Sequence, residues 1–240
     1  AARRAIEIDI DNAAGSEARG PVGGVPDDFD GLGRDEDGRF YSINPALGDD
    51  QLWVSANQLF QLTPLDIDPD LDNDIVRFSV SQTLLREVGG EQVALTTPDA
   101  FRALAFDESD AAFAIFDEDD PQNSVGESDL VTLAGGLVTT VGPVQSAGSD
   151  RNIIAMDFTP GGSLYAIHDP DPAVTTDRVL VSIDPADPDQ SRDLTDAALN
   201  PVSDALRGLG VDDQGRLLSV NIAASGDDLV ISNNAQQLFT

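Results

Sequence analysis

The sequence predicts an all-β protein, a β-propeller of four-stranded antiparallel blades, and three observations lead to this fold class. "GLGVDDQGRLLSVN" at residues 208–221 nearly repeats "GLGRDEDGRFYSIN" at residues 31–44, and two looser copies begin at Arg102 and Ile153. Each copy consists of short apolar stretches between turn-forming clusters, without a sustained helical period. Aromatic residues make up 5% of the chain. A core of Val, Ile, Leu and Ala suits thin sheets that stack as blades around an axis.

Each unit reads as four strands in a fixed order. The first is small and apolar and ends in an Asp- or Gly-rich turn, as in "GLGR", "ALAF", "AMDF" and "GLGV". The second alternates between its two faces, as in "RFYSIN", "AAFAIF", "SLYAIH" and "RLLSVN". The third is "QLWVS", "DLVTL", "RVLVSI" or "DLVIS", and the fourth is "LFQLT", "LVTTV", "RDLT" or "QLFT".

Two stretches fit the repeat less well. Residues 64–100 contain two strand-like runs, "DIVRFSVSQ" and "EQVALTTP", and read as a degenerate blade or a long insertion. Residues 1–25 read as an N-terminal strand and linker; the alternating "AIEIDID" suits a half-buried strand that pairs with the last blade and closes the ring. We therefore expect a single propeller domain over residues 1–240 with about five blades, four clear and one degenerate.

The repeat unit "GLGVDDQGRLLSVN" resembles the NHL and related six- or seven-bladed propeller repeats, in which a small apolar strand, an Asp-rich turn with Gly and a "LY-V" strand recur. The "IDPA" at residues 183–186, after "LYAI" at 164–167, resembles units of secreted bacterial propellers. The resemblance covers roughly residues 28–240. It implies architecture and not activity, because the shared positions are turns and core.

The net charge of the chain limits the classes of partner and the environment that we expect. The chain carries 44 acidic and 13 basic residues, a net charge of -31, which repels nucleic acids and anionic lipid surfaces. We expect no membrane insertion either, because no apolar run approaches the ~20 residues that span a bilayer. A charge this large favours a medium rich in salt or calcium, and we expect an extracellular or cell-surface location in a halophilic or marine setting. The chain has no Cys, which excludes disulfides, a thiolate metal site and a cysteine nucleophile. Its first residues include neither an initiator Met nor an apolar leader, so we expect a mature or excised chain.

One acidic segment predicts a metal site. In "DIDPDLDND" an Asp occupies every second position, and a hard cation such as calcium would relieve the repulsion between these carboxylates. The predicted ligands are Asp66, Asp68, Asp70, Asp72 and Asp74. From Asp68 the spacing follows the start of a calcium loop, but the twelfth position is Ser79 and not Glu. The alternative is a solvated acidic loop.

Several other polar groups allow both a structural and a functional interpretation. "DEDG" at 35–38 and "DDQG" at 212–215 read as hairpin turns, and "FDEDDPQN" at 116–123 and "HDPDPA" at 168–173 as solvated loops or cation ligands. His168 is the only histidine; Asp169 could orient it as a general base, and a structural role is the alternative. Asp157 is the acidic exception on the first strands. Trp53, Tyr41 and Tyr165 pack between blades or, if exposed together, form a carbohydrate platform.

Three functions remain open. The first is a secreted, calcium-stabilised binding or structural module for a protein or glycan, with His168, Asp169 and Asp157 as candidate ligand-binding residues and no catalytic residue assigned. The second is a calcium-dependent, lactonase-like propeller hydrolase, which needs acidic side chains in the central channel. The third is a subunit of an extracellular assembly that pairs through its N-terminal strand.

Overall fold

The structure of the chain is a computed structural model. It describes residues 4–7, 17–23, 30–36, 39–44, 51–55, 76–95, 101–117, 128–170, 178–194, 206–212, 214–223 and 226–231. These residues are almost entirely β-strand. None of the helices among them is long or apolar enough to cross a membrane.

The strands of the first half form two sheets. The first sheet contains β1 (Arg4–Glu7), β2 (Glu17–Gly23), β3 (Asp30–Arg34), β4 (Phe40–Asn44), β5 (Gln51–Ser55) and β6 (Val76–Thr83). The second contains β7 (Leu85–Val88), β8 (Glu91–Ala94), β9 (Phe101–Phe106), β10 (Ala112–Phe116), β11 (Asp129–Ala134) and β12 (Leu137–Pro143). In both sheets four consecutive strands, β3 to β6 and β9 to β12, form an antiparallel meander, and a hairpin extends its outer edge.

The second half continues the same plan. A short hairpin of β13 (Gln145–Ser146) and β14 (Ser149–Asp150) leads into the third sheet. That sheet contains β15 (Ile153–Phe158), β16 (Leu164–His168), β17 (Val179–Ile183) and β18 (Arg192–Leu194), and a 3-10 helix (Pro188–Gln190) connects β17 to β18. The fourth contains β19 (Leu206–Val211), β20 (Leu217–Ala223) and β21 (Gly226–Ile231).

The sheets are the blades of a β-propeller, as the repeat predicts. Their first strands stand side by side around the axis, where β3 packs against β9, β9 against β15, and β15 against β19. Each blade therefore lies face to face with the next, and the described residues form four blades. This order follows from the sequence, because only a small first strand lets neighbouring blades approach so closely.

Alternation along the strands divides the core into layers between blades. Leu104 and Ala114 face the first blade, whereas their neighbours Ala105 and Ile115 face the third. In the third blade Met156 faces the second blade and Ile167 faces the fourth. Each blade thus buries both faces only by stacking, and this is why the chain repeats one unit.

Most predicted strands are confirmed, and the differences lie at the outer edges. The fourth strand of the first blade is β6, and the predicted fourth strands at 59–63 and 237–240 lie outside the described residues. The described part of residues 64–100 completes the first blade with β6 and adds the β7–β8 hairpin to the outer edge of the second, which fits the insertion better than a separate blade. A long insertion is tolerated at this point because it precedes the outermost strand and leaves the inner three strands of the blade undisturbed.

The N-terminal strand also differs from the expectation. β1 pairs with β2, and β2 pairs in parallel with β6 at the outer edge of the first blade. The N-terminal segment therefore extends the first blade where we expected it to complete the last. Alternation alone predicts a strand with one buried face, but it does not identify the edge on which that strand docks.

Candidate functional site

Polar side chains gather at one end of the second and third blades, because the topology brings the ends of their inner strands together there. At this end β9 and β15 begin and β10 and β16 finish. We call it the polar end, and it comprises Arg102, Asp117, Ser128, Asn152, His168, Asp169 and Arg178. All seven flank the ends of inner strands, where the sheet edge leaves room for polar groups beside the axis.

Asn152 is the centre of this arrangement. Its backbone carbonyl accepts hydrogen bonds from the backbone N–H of Asp169, at 2.8 Å, and from Nδ1 of His168, at 3.1 Å. Its side-chain amide donates to the carbonyl of Asp169 at 3.0 Å. The next residue, Ile153, donates its backbone N–H to Oγ of Ser128 in the second blade at 3.0 Å. Asn152 therefore holds the start of β15 to the end of β16, and Ser128 links the blades.

His168 is buried, and its hydrogen bond to the Asn152 carbonyl supports the fold. Burial lowers the pKa of its imidazole, which makes the neutral form dominant at neutral pH. With the Asn152 carbonyl as acceptor, the proton of the neutral ring sits on Nδ1. Asp169 does not orient the ring as we expected, because its carboxylate binds Arg178.

Two ion pairs lie at the polar end. Arg178 donates to Oδ2 of Asp169 through Nε at 3.0 Å and through Nη2 at 2.7 Å, and both side chains are about 95% buried. Arg102 donates to Oδ2 of Asp117 at 3.4 Å. Each Asp directly follows the second strand of its blade, and both are buried, contrary to the solvated loops that we expected at these positions. The remaining acids of these loops, at 118–120 and 171, lie outside the described residues.

Among the described residues, three buried oxygen atoms and one buried nitrogen atom at the polar end have no hydrogen-bond partner. The oxygen atoms are Oδ1 of Asp117, Oδ1 of Asn152 and Oδ1 of Asp169, and the nitrogen atom is Nε of Arg102. A buried acceptor without a donor carries a desolvation penalty, so such atoms are usually completed by a water, an ion or a ligand group. Acceptors therefore outnumber donors by three to one among these four atoms.

Asp157 belongs to a different part of the third blade. It pairs with Tyr165 in the sheet, while Ile153 pairs with His168, so four residues or about 13 Å of strand separate it from the polar end. Its carboxylate accepts the backbone N–H of Phe158 at 2.9 Å and of Val211 in the fourth blade at 2.8 Å. Burial raises the pKa of Asp157 to about 6, against the lowering effect of these two hydrogen bonds. The three candidate ligand residues therefore do not form one site.

The acidic turns after the first strands are structural, as predicted. Asp35 accepts the backbone N–H of Arg39 at 2.8 Å and its Nε at 2.7 Å. Asp212 accepts the backbone N–H of Arg216 at 2.7 Å, and Gly215 takes a positive φ of 76°. The same turn recurs in the second blade, around Asp107. These carboxylates close hairpins and do not converge on a ligand.

The predicted calcium ligands cannot be placed. Asp66, Asp68, Asp70, Asp72 and Asp74 lie outside the described residues. Within the part of the chain that the structure describes, no three acidic or histidine side chains cluster closely enough to hold a metal ion.

The aromatic residues pack between blades. Tyr41 lies against Phe106 of the second blade with 4.7 Å between ring centroids, and Tyr165 is buried beside Leu180 and Leu217. They do not form an exposed platform together. The side chain of Trp53 is outside what the structure describes.

Sequence reasoning did not find Asn152, Ser128, Arg102 or Arg178. A partial signal existed, since an Asp follows the second strand in both "FD" at 116–117 and "HD" at 168–169. The partners of these acids come from strands that begin elsewhere in the chain, and a single unit of the repeat does not reveal them.

No protein-family model matches the sequence, and no curated protein gives a significant match. Solved structures with a similar chain course include a gluconolactonase of Xanthomonas campestris (12% identity, TM-score 0.48, 95% of this chain and 65% of that one). Others are a PQQ-bound aldose sugar dehydrogenase of Streptomyces coelicolor (14%, 0.45, 95% and 64%) and a GH43 glycoside hydrolase (15%, 0.47, 83% and 36%). The chain spans less than two thirds of the length of each. The propeller assignment rests on the strand topology, and the NHL resemblance stays a prediction.

Proposed function

We propose that this chain is a secreted, acidic β-propeller that acts as a binding module, and that its polar end recognises a neutral, hydroxyl-rich ligand such as a glycan. The observation that carries this proposal is the set of three buried, unpartnered acceptor oxygens on Asp117, Asn152 and Asp169. Hydroxyl groups donate hydrogen bonds to such oxygens directly or through a bridging water.

The charges around these oxygens favour a neutral ligand over a cation. Asp117 and Asp169 each bind an arginine through Oδ2, so each carboxylate is already neutralised. A second cation at Oδ1 would meet the guanidinium at close range. Anionic ligands are disfavoured by the net charge of -31. A neutral polyol meets neither penalty.

The contacts of Asp157 favour a structural role over catalysis for this carboxylate. A general base must have a basic atom within hydrogen-bond reach of the substrate proton. Both oxygens of Asp157 accept backbone N–H groups, and His168 is fixed to the Asn152 carbonyl. These contacts occupy both oxygens of Asp157, so Asp157 is not placed to act as the base of the lactonase-like alternative.

A separate segment of the chain is proposed to bind calcium. We propose that the acidic segment of Asp66, Asp68, Asp70, Asp72 and Asp74 binds calcium and stabilises the fold in a salt-rich extracellular medium. A cation that binds only the folded state raises the melting temperature. Calcium chloride should therefore stabilise the chain more than sodium chloride at matched ionic strength, and changing all five Asp to Asn should remove the difference.

Glycan binding is tested by calorimetry with a panel of neutral oligosaccharides, such as malto-, cello- and xylo-oligosaccharides, with polygalacturonate as the anionic comparison. We expect at least one neutral series to bind, and Asn152→Ala to weaken it by about tenfold. Gln145→Ala, an amide change at a more exposed position, is the control and should bind like the parent. Absence of binding across the neutral panel, or equal binding by Asn152→Ala, would overturn the proposal.

The hydrolase alternative has its own assay. Lactone hydrolysis followed by pH-stat in calcium should not exceed the spontaneous rate. A rate that depends on calcium and disappears on changing Asp157 to Ala would replace the binding proposal with the enzymatic one.

A further inference from the structure

The peptide bond between Asp169 and Pro170 lies at the polar end, directly after β16. Asp169 is buried and Pro170 is exposed, so the bond joins the protein interior to solvent. The nitrogen of a prolyl bond carries no N–H, because the ring closes on it. This nitrogen is more basic than other peptide nitrogens, so it takes a proton and leaves more readily. The Pro170 nitrogen is therefore a good leaving group beside solvent.

The carboxylate of Asp169 is held in one position with one oxygen open. Arg178 donates to its Oδ2 at 3.0 Å through Nε and at 2.7 Å through Nη2. Oδ1 is buried and has no hydrogen-bond partner among the described residues. Hydrogen bonds lower the nucleophilicity of a carboxylate oxygen, and Oδ1 accepts none from these residues. Attack by this oxygen on the main-chain carbonyl carbon of its own residue closes a five-membered ring, and such intramolecular reactions are strongly favoured over bimolecular ones.

Asn152 holds the carbonyl group of the same bond. Its side-chain amide donates to the carbonyl oxygen of Asp169 at 3.0 Å, and its backbone carbonyl accepts the N–H of Asp169 at 2.8 Å. His168 donates to that carbonyl of Asn152 through Nδ1 at 3.1 Å. The amide N–H of Asn152 is therefore fixed at the oxygen on which negative charge develops when a nucleophile attacks the carbonyl carbon of Asp169.

We propose that the chain cuts its own backbone between Asp169 and Pro170. Oδ1 of Asp169 attacks the carbonyl carbon of the same residue, and the new C–O bond closes a cyclic anhydride. The bond from this carbon to the Pro170 nitrogen breaks with its electron pair on nitrogen, which takes a proton from water and leaves as an amine. The remaining hydroxide opens the anhydride and restores the side-chain carboxylate. One water is consumed in total, and the reaction needs no ligand, so it stands apart from glycan binding.

Two other Asp–Pro bonds among the described residues lack this arrangement. They are the bonds 184–185 and 187–188, and the Asp of each is exposed. Oδ1 of Asp184 accepts the backbone N–H of Ala186 at 2.9 Å. Water also reaches these carboxylates and hydrates their oxygens. Among these three bonds, the buried and open carboxylate oxygen is therefore specific to Asp169.

The cut leaves the third blade assembled. β16 and β17 lie on either side of the bond and pair over five residues, with His168 opposite Val179 at the end nearest to it. The products are a second carboxylate on Asp169, at the polar end, and an exposed amine on Pro170. The two pieces therefore stay together in the native protein and separate when it is denatured.

The test is incubation of the whole chain at pH 5 in concentrated sodium chloride, with and without urea, followed by denaturing electrophoresis and mass spectrometry. We expect a cut at the 169–170 bond that is at least about tenfold faster in the native protein, because unfolding separates Asn152 and Arg178 from Asp169. A native chain that stays intact would overturn the proposal. So would equal rates with and without urea, or equal rates at the 169–170 and 184–185 bonds, since ordinary acid lability then explains the cut.

Substitutions test each part of the site, and melting curves verify that each variant folds. Asp169→Asn replaces the nucleophile by a weaker one of the same shape, and Asn152→Ala removes the donor to the carbonyl oxygen. We expect each to slow the cut at least about tenfold. Pro170→Ala changes only the leaving group at an exposed position, so it gives a result even if Asn152→Ala does not fold, and it should also slow the cut. Asp184→Ala is the matched control at another Asp–Pro bond and should cut at the parent's rate; parent rates in the other folded variants would contradict the mechanism.

Discussion

Asp157 in the third blade accepts a hydrogen bond from the backbone N–H of Val211 in the fourth, with 2.8 Å between Oδ2 and N. The equivalent positions in the other blades are glycine or alanine, so this contact replaces apolar close packing with a buried carboxylate. The surroundings of Asp157 in the sheet determine the pKa of this carboxylate. Asp157 faces Tyr165 on its own blade and Leu209 and Val211 on the next, and no charged side chain of the described residues shifts its pKa.

Stability should depend on the charge of Asp157. Its folded pKa of about 6 exceeds the unfolded value of 3.8, so its contribution is full below pH 3.8 and is lost as pH rises through 6. That difference corresponds to on the order of 3 kcal/mol. Asp157→Ala, the residue type of the second blade at this position, should therefore destabilise the chain strongly at pH 4 and little at pH 7.5. Urea unfolding at both pH values measures this, and an equal loss at both would contradict it.

His168 should contribute to stability with the opposite pH dependence. Burial lowers its folded pKa below the unfolded value of 6.5, so the unfolded chain takes up the proton first and stability falls as pH drops below 6.5. His168→Gln, which keeps a donor for the Asn152 carbonyl without a titrating group, should lose less stability between pH 7.5 and 5 than the parent. Melting temperatures across this range measure the effect. Parallel curves for the two proteins would show that His168 does not titrate on unfolding.

The buried pair of Arg178 and Asp169 should be costly to break from one side. Arg178→Met leaves the Asp169 carboxylate buried without its cation, which is expected to cost about 3–5 kcal/mol. Arg192→Met, the same change at an exposed position of the third blade, is the control and should cost less than about 1 kcal/mol. Adding Asp169→Leu to Arg178→Met should recover part of the loss. A double variant as unstable as the single one would show that packing, and not the unpaired charge, causes the loss.

Two glycines at the same repeat position should respond differently. Gly33→Ala places a Cβ 3.0 Å from the ring of Phe106, and the overpacking should cost about 1–3 kcal/mol. Gly210→Ala meets open space and should be neutral or slightly stabilising in dilute buffer at low protein concentration. Denaturant unfolding of both variants gives the comparison. Equal losses would mean that backbone conformation, rather than contact with the next blade, requires glycine.

The inner three strands of every blade were predictable because their signals are local. Alternation, a small first strand and an Asp- or Gly-rich turn are properties of consecutive residues, and "RFYSIN" becomes β4 just as "SLYAIH" becomes β16. The outer edge was less predictable. β6 arrives after a long insertion, and both hairpins dock in parallel through few residues, so their neighbours depend on chain segments distant in sequence.

By itself the sequence determined that this protein is all-β, that its units stack as blades, and that its surface is strongly acidic, because periodicity and charge are written along the chain. Only the tertiary structure decided that Asp169 binds Arg178 and not His168, that Asp157 joins two blades, and that Leu32 and Gly210 stand at opposite ends of the series. These roles depend on which strands lie side by side, and a side chain's partners across a blade interface come from residues that its own repeat unit does not contain.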